Sequence, residues 1–355
     1  MRSTVLSVVA AASILAVGLS ACSSGATTST SPATTSASPA SGGAPASGGA
    51  PAAGAFVKKD PLKIGYSVYD MANPYFQNYA KGIQAEAAAE HATVVIADQK
   101  SSQQAQVSGS SDLINQSISA LIVSPVEPDA LPATVTAAHA AKIPVIIGDV
   151  GAKGDYDLFI LSDNLKGGAL AADLMEKKLK AKGGTQEIGI ITLHPGSNVG
   201  VDRVKGFKDE IAKFPNIKVV AELNGNDAIK EANDATANML AAHPNIAGIY
   251  AANDNEAQGA IAAIQGAGKK PSDFTIIGFD GSPGAIEAIA AGTQTATVAQ
   301  DPYAQGRLAV KSAIALLNGQ SLQFSAPATK TITVPVELVD ASNLDKFKAA
   351  RAAQK

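Results

Sequence analysis

The stretch TIIGFDGSPG, residues 275–284, sets a short β-branched and apolar run against a hard stop. Thr275 to Ile277 reads as a buried strand, and Gly278, Phe279, Asp280 and Gly281 end it on a carboxylate. Working outward, the arrangement recurs. LKIGYSV leads into Tyr69 and Asp70, TVVIAD ends on Asp98, ALIVSP on Ser124 and Pro125, VIIGDV on Asp149, and LFILSDN on Asp163 and Asn164. Further on, EIGIITLHPG runs into His194, GIYAANDN into Asn253 and Asp254, and TATVAQD into Gln300 and Asp301. Between these runs lie PYFQNYAKGIQAEAAAE, GGALAADLMEKKLKA, VDRVKGFKDEIAKF, DAIKEANDATANMLAAH and NEAQGAIAAIQGAG, with apolar residues at three- and four-residue spacing. Apolar runs alternating with helices predict an α/β fold on parallel sheets, with a ligand crevice outside the strands' carboxyl ends. Taken singly, an Asp or Asn after a strand caps the next helix or makes a turn, and Asp98 and Asp163 are read that way. A whole row of them, drawn from both halves of the chain, points to a binding cleft.

The chain has 355 residues, 46% of them apolar and 17% charged, which is enough to bury two cores. Its halves look like similar units of five or so β-α steps, and the chain is expected to pass from one to the other near Ser162 to Asn164. A formal net charge of -3 with acids and bases interspersed gives no footing for nucleic acid. Residues 1–22 read as an export signal, with Arg2, an apolar run from Val5 to Leu19, and small residues at Ser20 and Ala21. The run is shorter than the roughly 20 residues a membrane span needs. Leu19-Ser20-Ala21-Cys22 resembles the lipobox of bacterial lipoproteins, which implies lipidation of Cys22; the alternative is a plain secretory signal beside an idle thiol. As the only cysteine, Cys22 has no partner for an intramolecular disulfide. Residues 23–57 are Ser, Thr, Ala, Pro and Gly almost throughout and carry no charge, so they read as a disordered tether reaching on the order of 30 Å.

From about Leu62 to Val339 the chain resembles the ribose-binding-like sugar receptors of ABC importers, which have the type I periplasmic-binding-protein fold. The resemblance is carried, in order, by ANPYFQ (72–77), IPVIIGD (143–149), SDNLKGG (162–168), RVKGF (203–207), AHPNIAGIYAANDNEAQGA (242–260), IIGFDG (276–281) and TATVAQDPYAQG (295–306). It implies two Rossmann-like parallel-sheet lobes joined by three crossovers near Ser162, Gln300 and Thr331, closing on a ligand like a hinged trap. The N-terminal lobe is then 58–162 plus 301–331, the C-terminal lobe 163–300 plus 332–340, and 341–355 a tail. It also implies that Asn73, Phe76, Asp149, Asn253, Asp280 and Gln300 face a small sugar or polyol, with Tyr75 beside them and Phe279 in the core. Ser124, at the end of its strand, and Asp227 join the candidate set. Carboxylates at 149 and 280 accept from vicinal hydroxyls, the amides of Asn73, Asn253 and Gln300 both donate and accept, and aromatic faces cover C–H faces of a sugar.

Two departures stand out. Close ribose-binding relatives carry arginines where Val150 and Val201 stand here, so the ligand lacks two fork donors. A third aromatic is replaced near Asn226 and Asp227, which favours a linear polyol or another small sugar over D-ribose. Among rival functions, an enzyme is disfavoured because His91, His139, His194 and His243 are scattered and no phosphate loop or metal-ligand spacing occurs. A DNA-binding regulator of the same fold would start with a basic helix-turn-helix. The expectation is therefore a monomeric, membrane-anchored, extracytoplasmic receptor without cofactor, partnered by an ABC permease and its ATPase. The alternatives are a receptor reporting to a chemosensor or sensor kinase, or one for a non-carbohydrate ligand.

Overall fold

Val, Ile and Leu runs bounded by polar stops become strands because β-branched side chains pack well on a pleated surface buried on both faces. The computed structural model describes residues 56–354; the export signal, Cys22 and all but the last two tether residues lie outside the described residues. In chain order the elements are β1 (Lys63–Val68), α1 (Pro74–Ala89), β2 (Thr93–Asp98), α2 (Gln103–Asn115), β3 (Ala120–Val123), α3 (Leu131–Ala140), β4 (Val145–Gly148), β5 (Leu158–Ser162), α4 (Asn164–Lys180), β6 (Gln186–Thr192), α5 (Asn198–Ile211), β7 (Ile217–Asn224), α6 (Ile229–Ala242), β8 (Ile246–Ala251), α7 (Asp254–Gly266), β9 (Thr275–Asp280), α8 (Pro283–Ala290), β10 (Ala296–Ala299), α9 (Pro302–Leu317), β11 (Thr331–Val334), β12 (Glu337–Asp340) and α10 (Leu344–Ala352).

Two six-stranded sheets result, in the orders β11-β5-β4-β3-β1-β2 and β12-β10-β9-β8-β6-β7. Every pairing is parallel except that of β12 with β10. The sheets share one pattern, in which the first strand lies between the second and the third. Each therefore has a topological switch point, between β1 and β3 in one and β6 and β8 in the other, where the crevice of an open α/β sheet forms. Both faces of each sheet are covered. In the first lobe Ile64, Tyr66 and Val68 pack under α1 and α9, while Leu121, Val123, Val145 and Ile147 pack on the opposite face. In the second, Ile188, Ile190, Tyr250 and Phe279 face α4 and α5, while Ile191, Ile249 and Ile276 face α6 and α7.

The chain crosses between the sheets after β5, after β10 and again between β11 and β12. The third crossing corrects the expected position at Thr331, because Thr331–Val334 pairs in parallel with Phe159–Ser162 and so belongs wholly to the first sheet. Residues 341–355 are likewise more than a tail. Helix α10 buries Leu344 and Phe347 against Ile289, Ala299 and Val339 of the second lobe, and Arg351 reaches Asp301 Oδ1 at 2.9 Å and the Gln300 carbonyl at the second crossing.

Small residues set how closely the helices approach. A Cβ on Gly206 would strike the Leu165 carbonyl oxygen and one on Gly168 the Arg203 carbonyl, so α4 and α5 touch backbone to backbone. The same device joins α1 and α9 through Gly82 and Gly306. Gly206→Ala should lower unfolding stability by about 1–3 kcal/mol through overpacking, despite the better helix propensity of Ala. Urea denaturation measures this, and an unchanged midpoint would mean the two helices are free to slide apart.

Candidate functional site

The crevice is built by loops at the carboxyl ends of both sheets. In the first lobe β1 hands over to α1 through Tyr69 and Asn73, whose Oδ1 caps the helix by accepting from the Tyr75 N–H at 2.9 Å. Tyr69 stacks on Phe76 with ring centroids 5.3 Å apart and planes 8° apart, and Tyr75 meets the same ring edge-on at 5.1 Å. Phe76 is 5% exposed. It is thus packed against both tyrosines, which are the more exposed rings of the group. Ser124 is also buried, its hydroxyl 3.0 Å from Tyr66 Oη, and so supports the crevice floor rather than lining it.

Three carboxylates enter from loops, and each sits on unusual backbone. Asp149 has φ +68°, Asp227 +62° and Asp280 +114°. Left-handed or more strained φ at a residue with a Cβ costs on the order of 1–3 kcal/mol and persists only when its surroundings over-determine it. For Asp280 those surroundings are plain. Gln300 Nε2 donates to its Oδ1 at 2.7 Å and Arg203 Nη1 lies 3.0 Å from the same oxygen. The following residue, Gly281, donates its N–H to Thr297 Oγ1 at 3.1 Å. Beneath the loop, buried Asp254 accepts from Thr297 Oγ1 and from the Ser282 N–H, both at 2.8 Å.

Arg203 is the group that reading the sequence missed as a site residue, although it lies inside the quoted RVKGF. It is 4% exposed, whereas Val201 on the same helix is 55% exposed. On α5, positions 200, 203 and 207 share the inward face, and two residues back the chain points to solvent. The expected loss of fork donors is therefore corrected in part: Val201 offers none, but Arg203 places a guanidinium against Asp280. It also donates from Nε to Asn164 Oδ1 and from Nη1 to the Ala252 carbonyl, both at 2.9 Å, and lies over the Phe279 ring at 3.9 Å. Phe279 itself is in the core, as expected.

Gln300 and Asn253 are buried and occupied. Gln300 accepts from Ser162 Oγ at 2.6 Å while donating to Asp280. Ser162 Oγ in turn accepts from Gln305 Nε2 at 2.9 Å, and Gln305 Oε1 accepts from Tyr75 Oη at 3.0 Å. An unbroken relay thus runs from Tyr75 in the first lobe, through the first and second crossings, to Asp280 in the second. Asn253 caps α7 through Oδ1, accepting from the Glu256 N–H at 2.9 Å, and its Nδ2 donates to Asp227. Gln300 and Asn253 therefore hold carboxylates in place, and the groups left open to the crevice are Asn73, Tyr69, Tyr75, Asp149, Asp227 and Asp280. Asp98 and Asp163 make local turns and caps, as read from the sequence.

The charges feel one another across the crevice. Burial raises the Asp149 carboxyl above its ordinary value, the Tyr75 hydroxyl and Arg203 oppose the rise, and Asp227 adds to it. Burial likewise raises Asp227, opposed by Asn253 and Arg203, and raises Asp280, opposed first by Arg203. Below them Glu256 is buried, with Oε1 accepting from the Asp227 N–H at 3.3 Å and Oε2 without a partner. Burial, with the Asp227 charge adding to it, pushes this carboxyl up to about 8. Among the described residues no group of three His, Cys, Asp or Glu side chains is arranged to hold a metal ion.

A carboxyl raised in the fold contributes stability that is complete below its ordinary value of 4.5 and is lost as pH rises through about 8. Wild type should therefore lose unfolding free energy relative to Glu256→Gln between about pH 5 and pH 8. Parallel curves from urea denaturation across that range would show Glu256 to be ionised in the folded protein.

Residues 64–321 match the family model described as periplasmic binding protein domain. The chain is 33% identical over 281 residues to the ribose import binding protein RbsB of Bacillus subtilis, covering 79% of this chain and 88% of that one. Among solved structures it is similar to a periplasmic ribose ABC transporter protein from Conexibacter woesei, with TM-score 0.74, 25% identity and coverage of 83% and 96%. It is also similar to a Caulobacter myo-inositol binding protein bound to myo-inositol, with TM-score 0.69, 28% identity and coverage of 80% and 95%. Two parallel-sheet lobes with three crossings between them agree with these matches: the chain belongs to the periplasmic binding protein family, among its ribose-binding-like members.

Proposed function

We propose that this protein captures a small hydroxylated ligand, a monosaccharide or sugar alcohol, by closing its two lobes, and hands it to the permease of an ABC importer. The carrying observation is that three carboxylates on positive-φ backbone, with Asn73, Tyr69 and Tyr75, all stand at the carboxyl ends of the two parallel sheets. A carboxylate accepts from two vicinal hydroxyls through charge-assisted bonds, and tyrosine faces shield the C–H side of the ligand. None of these groups needs to take part in bond making, so the protein acts as a receptor rather than an enzyme. The relatives named for ribose and myo-inositol binding support the ligand class. The relay from Tyr75 to Asp280 through both crossings supports lobe closure as the response to binding.

The export signal, Cys22 and the tether complete the reading as an extracytoplasmic receptor held at the membrane by a lipidated cysteine. The lobe assignment follows the sheets: the first lobe gains α9 and β11, and the second gains β12 and α10.

Thermal unfolding against pentoses, hexoses, inositols and linear polyols should show one stereochemical series stabilising the protein, by about 2.7 kcal/mol at a hundred times Kd. Asp280→Asn, which keeps the size of the side chain and tolerates positive φ, should weaken that ligand by roughly 10- to 100-fold. Unchanged affinity would remove Asp280 from the binding set. Cys22→Ser should move the protein from the membrane fraction to the soluble exported fraction, and continued membrane association would refute the lipid anchor.

A further inference from the structure

The second crossing is short. β10 ends at Ala299 in the second sheet and α9, packed in the first lobe, begins at Pro302, so Gln300 and Asp301 alone join them. Every polar group of Gln300 is engaged. Its N–H donates to the Asp280 carbonyl at 3.2 Å and its Nε2 to Asp280 Oδ1 at 2.7 Å, Oε1 accepts from Ser162 Oγ at 2.6 Å, and the carbonyl accepts from Arg351 Nη2. Asp301 caps α9, its Oδ1 accepting from the Ala304 N–H at 3.0 Å. The same oxygen accepts from Arg351 Nη1 at 2.9 Å and from Gln354 Nε2 at 3.1 Å. Arg351 stands near the end of α10, which is fixed to the second lobe. Phe347 of that helix is buried, and a Cβ on Gly281, next to Asp280, would lie 3.4 Å from its ring.

Resting on the reading of the protein as a receptor that closes on its ligand, we infer that Arg351 is a positioning residue for capture. Anchored in the second lobe, it grips both residues of the second crossing and, through Asp301, the cap of a first-lobe helix. A planar guanidinium suits this place, because its two Nη atoms serve a carbonyl and a carboxylate at once. Its central carbon lies 4.9 Å from the centre of the Phe347 ring, which keeps the fork aimed at the crossing. When lobes move, a few hinge residues absorb the change in φ and ψ. Rotation about residues 300 and 301 carries Asp301 away with α9 while Arg351 stays with α10, so it must stretch or break the grip. Here the grip is made with the lobes standing together at the crevice mouth, where a Cβ on Gly151 of the first lobe would lie 3.4 Å from Asn198 Nδ2 of α5. Arg351 therefore favours the drawn-together form and, by fixing the Gln300 backbone, keeps the Gln300 amide on Asp280. It acts on the ligand only through these two residues.

A double-mutant cycle on affinity, read by isothermal titration calorimetry, tests this with D-ribose, D-allose, myo-inositol and xylitol as probes, one each for pentoses, hexoses, inositols and linear polyols. Arg351→Gln removes the charge, and Asp301→Asn removes its partner while keeping a residue that caps α9. For each probe that wild type binds, either substitution should weaken Kd roughly 3- to 10-fold, as expected of a half-exposed charged contact, and the two together no more than either alone. Leu113→Ala, which empties core on the sheet face opposite α9, should lower the urea midpoint and leave Kd unchanged. Unchanged Kd in Arg351→Gln, losses that multiply in the double variant, or an equal loss of affinity in Leu113→Ala overturns the inference while leaving a sugar receptor standing. If wild type binds none of the probes, the hydroxylated-ligand reading falls, and small-angle X-ray scattering decides the grip by itself. Arg351→Gln should then enlarge the radius of gyration of the protein, and an unchanged value overturns the inference.

Discussion

Asp280 ends a core strand on backbone that a side chain with a Cβ avoids, and the contact that holds it there is with Arg203. The guanidinium is buried, so its charge must be matched, and Asp280 Oδ1 at 3.0 Å matches it. That single pairing ties helix α5 to strand β9. Through Asn164 and the Ala252 carbonyl it also ties in the start of α4 and the end of β8. Four segments of the second lobe thus converge on one charge, and the backbone contacts permitted by Gly168 and Gly206 bring the helices near enough for it to reach.

From this centre the polar relay leads outward to the hinge. Gln300 and Ser162 stand where the chain leaves each sheet, and Gln305 returns the connection to Tyr75 at the other side of the crevice. Each member uses its donor and acceptor on the next, which is the condition under which a buried polar network rigidifies rather than destabilises. A ligand that alters the hydrogen bonding of Asp280 or Tyr75 therefore acts directly on the segments that bend. The placement of polar groups at the crossings makes binding and lobe geometry parts of one mechanical unit.

Much of this was legible from the chain. Strand ends at Asp149, Asn253, Asp280 and Gln300 are local features, because a switch from period-two apolar packing to turn residues is written in consecutive positions. The roles within the row were less so. Gln300 and Asn253 read as ligand contacts, and the structure shows their amides bonded to carboxylates, while Phe76 is stacked on Tyr69 and buried. Arg203 stood in a motif already quoted, but a helix face cannot be assigned to a cleft until the helix is docked.

By itself the sequence determined the α/β alternation, the two similar halves, the row of polar strand ends and the uncharged stretch at 23–57, since each follows from residue type and short-range spacing. Tertiary structure alone decided which polar group meets which. Ser162 and Gln300 are 138 positions apart, and Arg203 finds Asp280 only when α5 packs on its sheet. It also decided that β11 stays with the first sheet and that α10 folds onto the second, because sheet membership and helix docking depend on the surfaces available after the cores have formed.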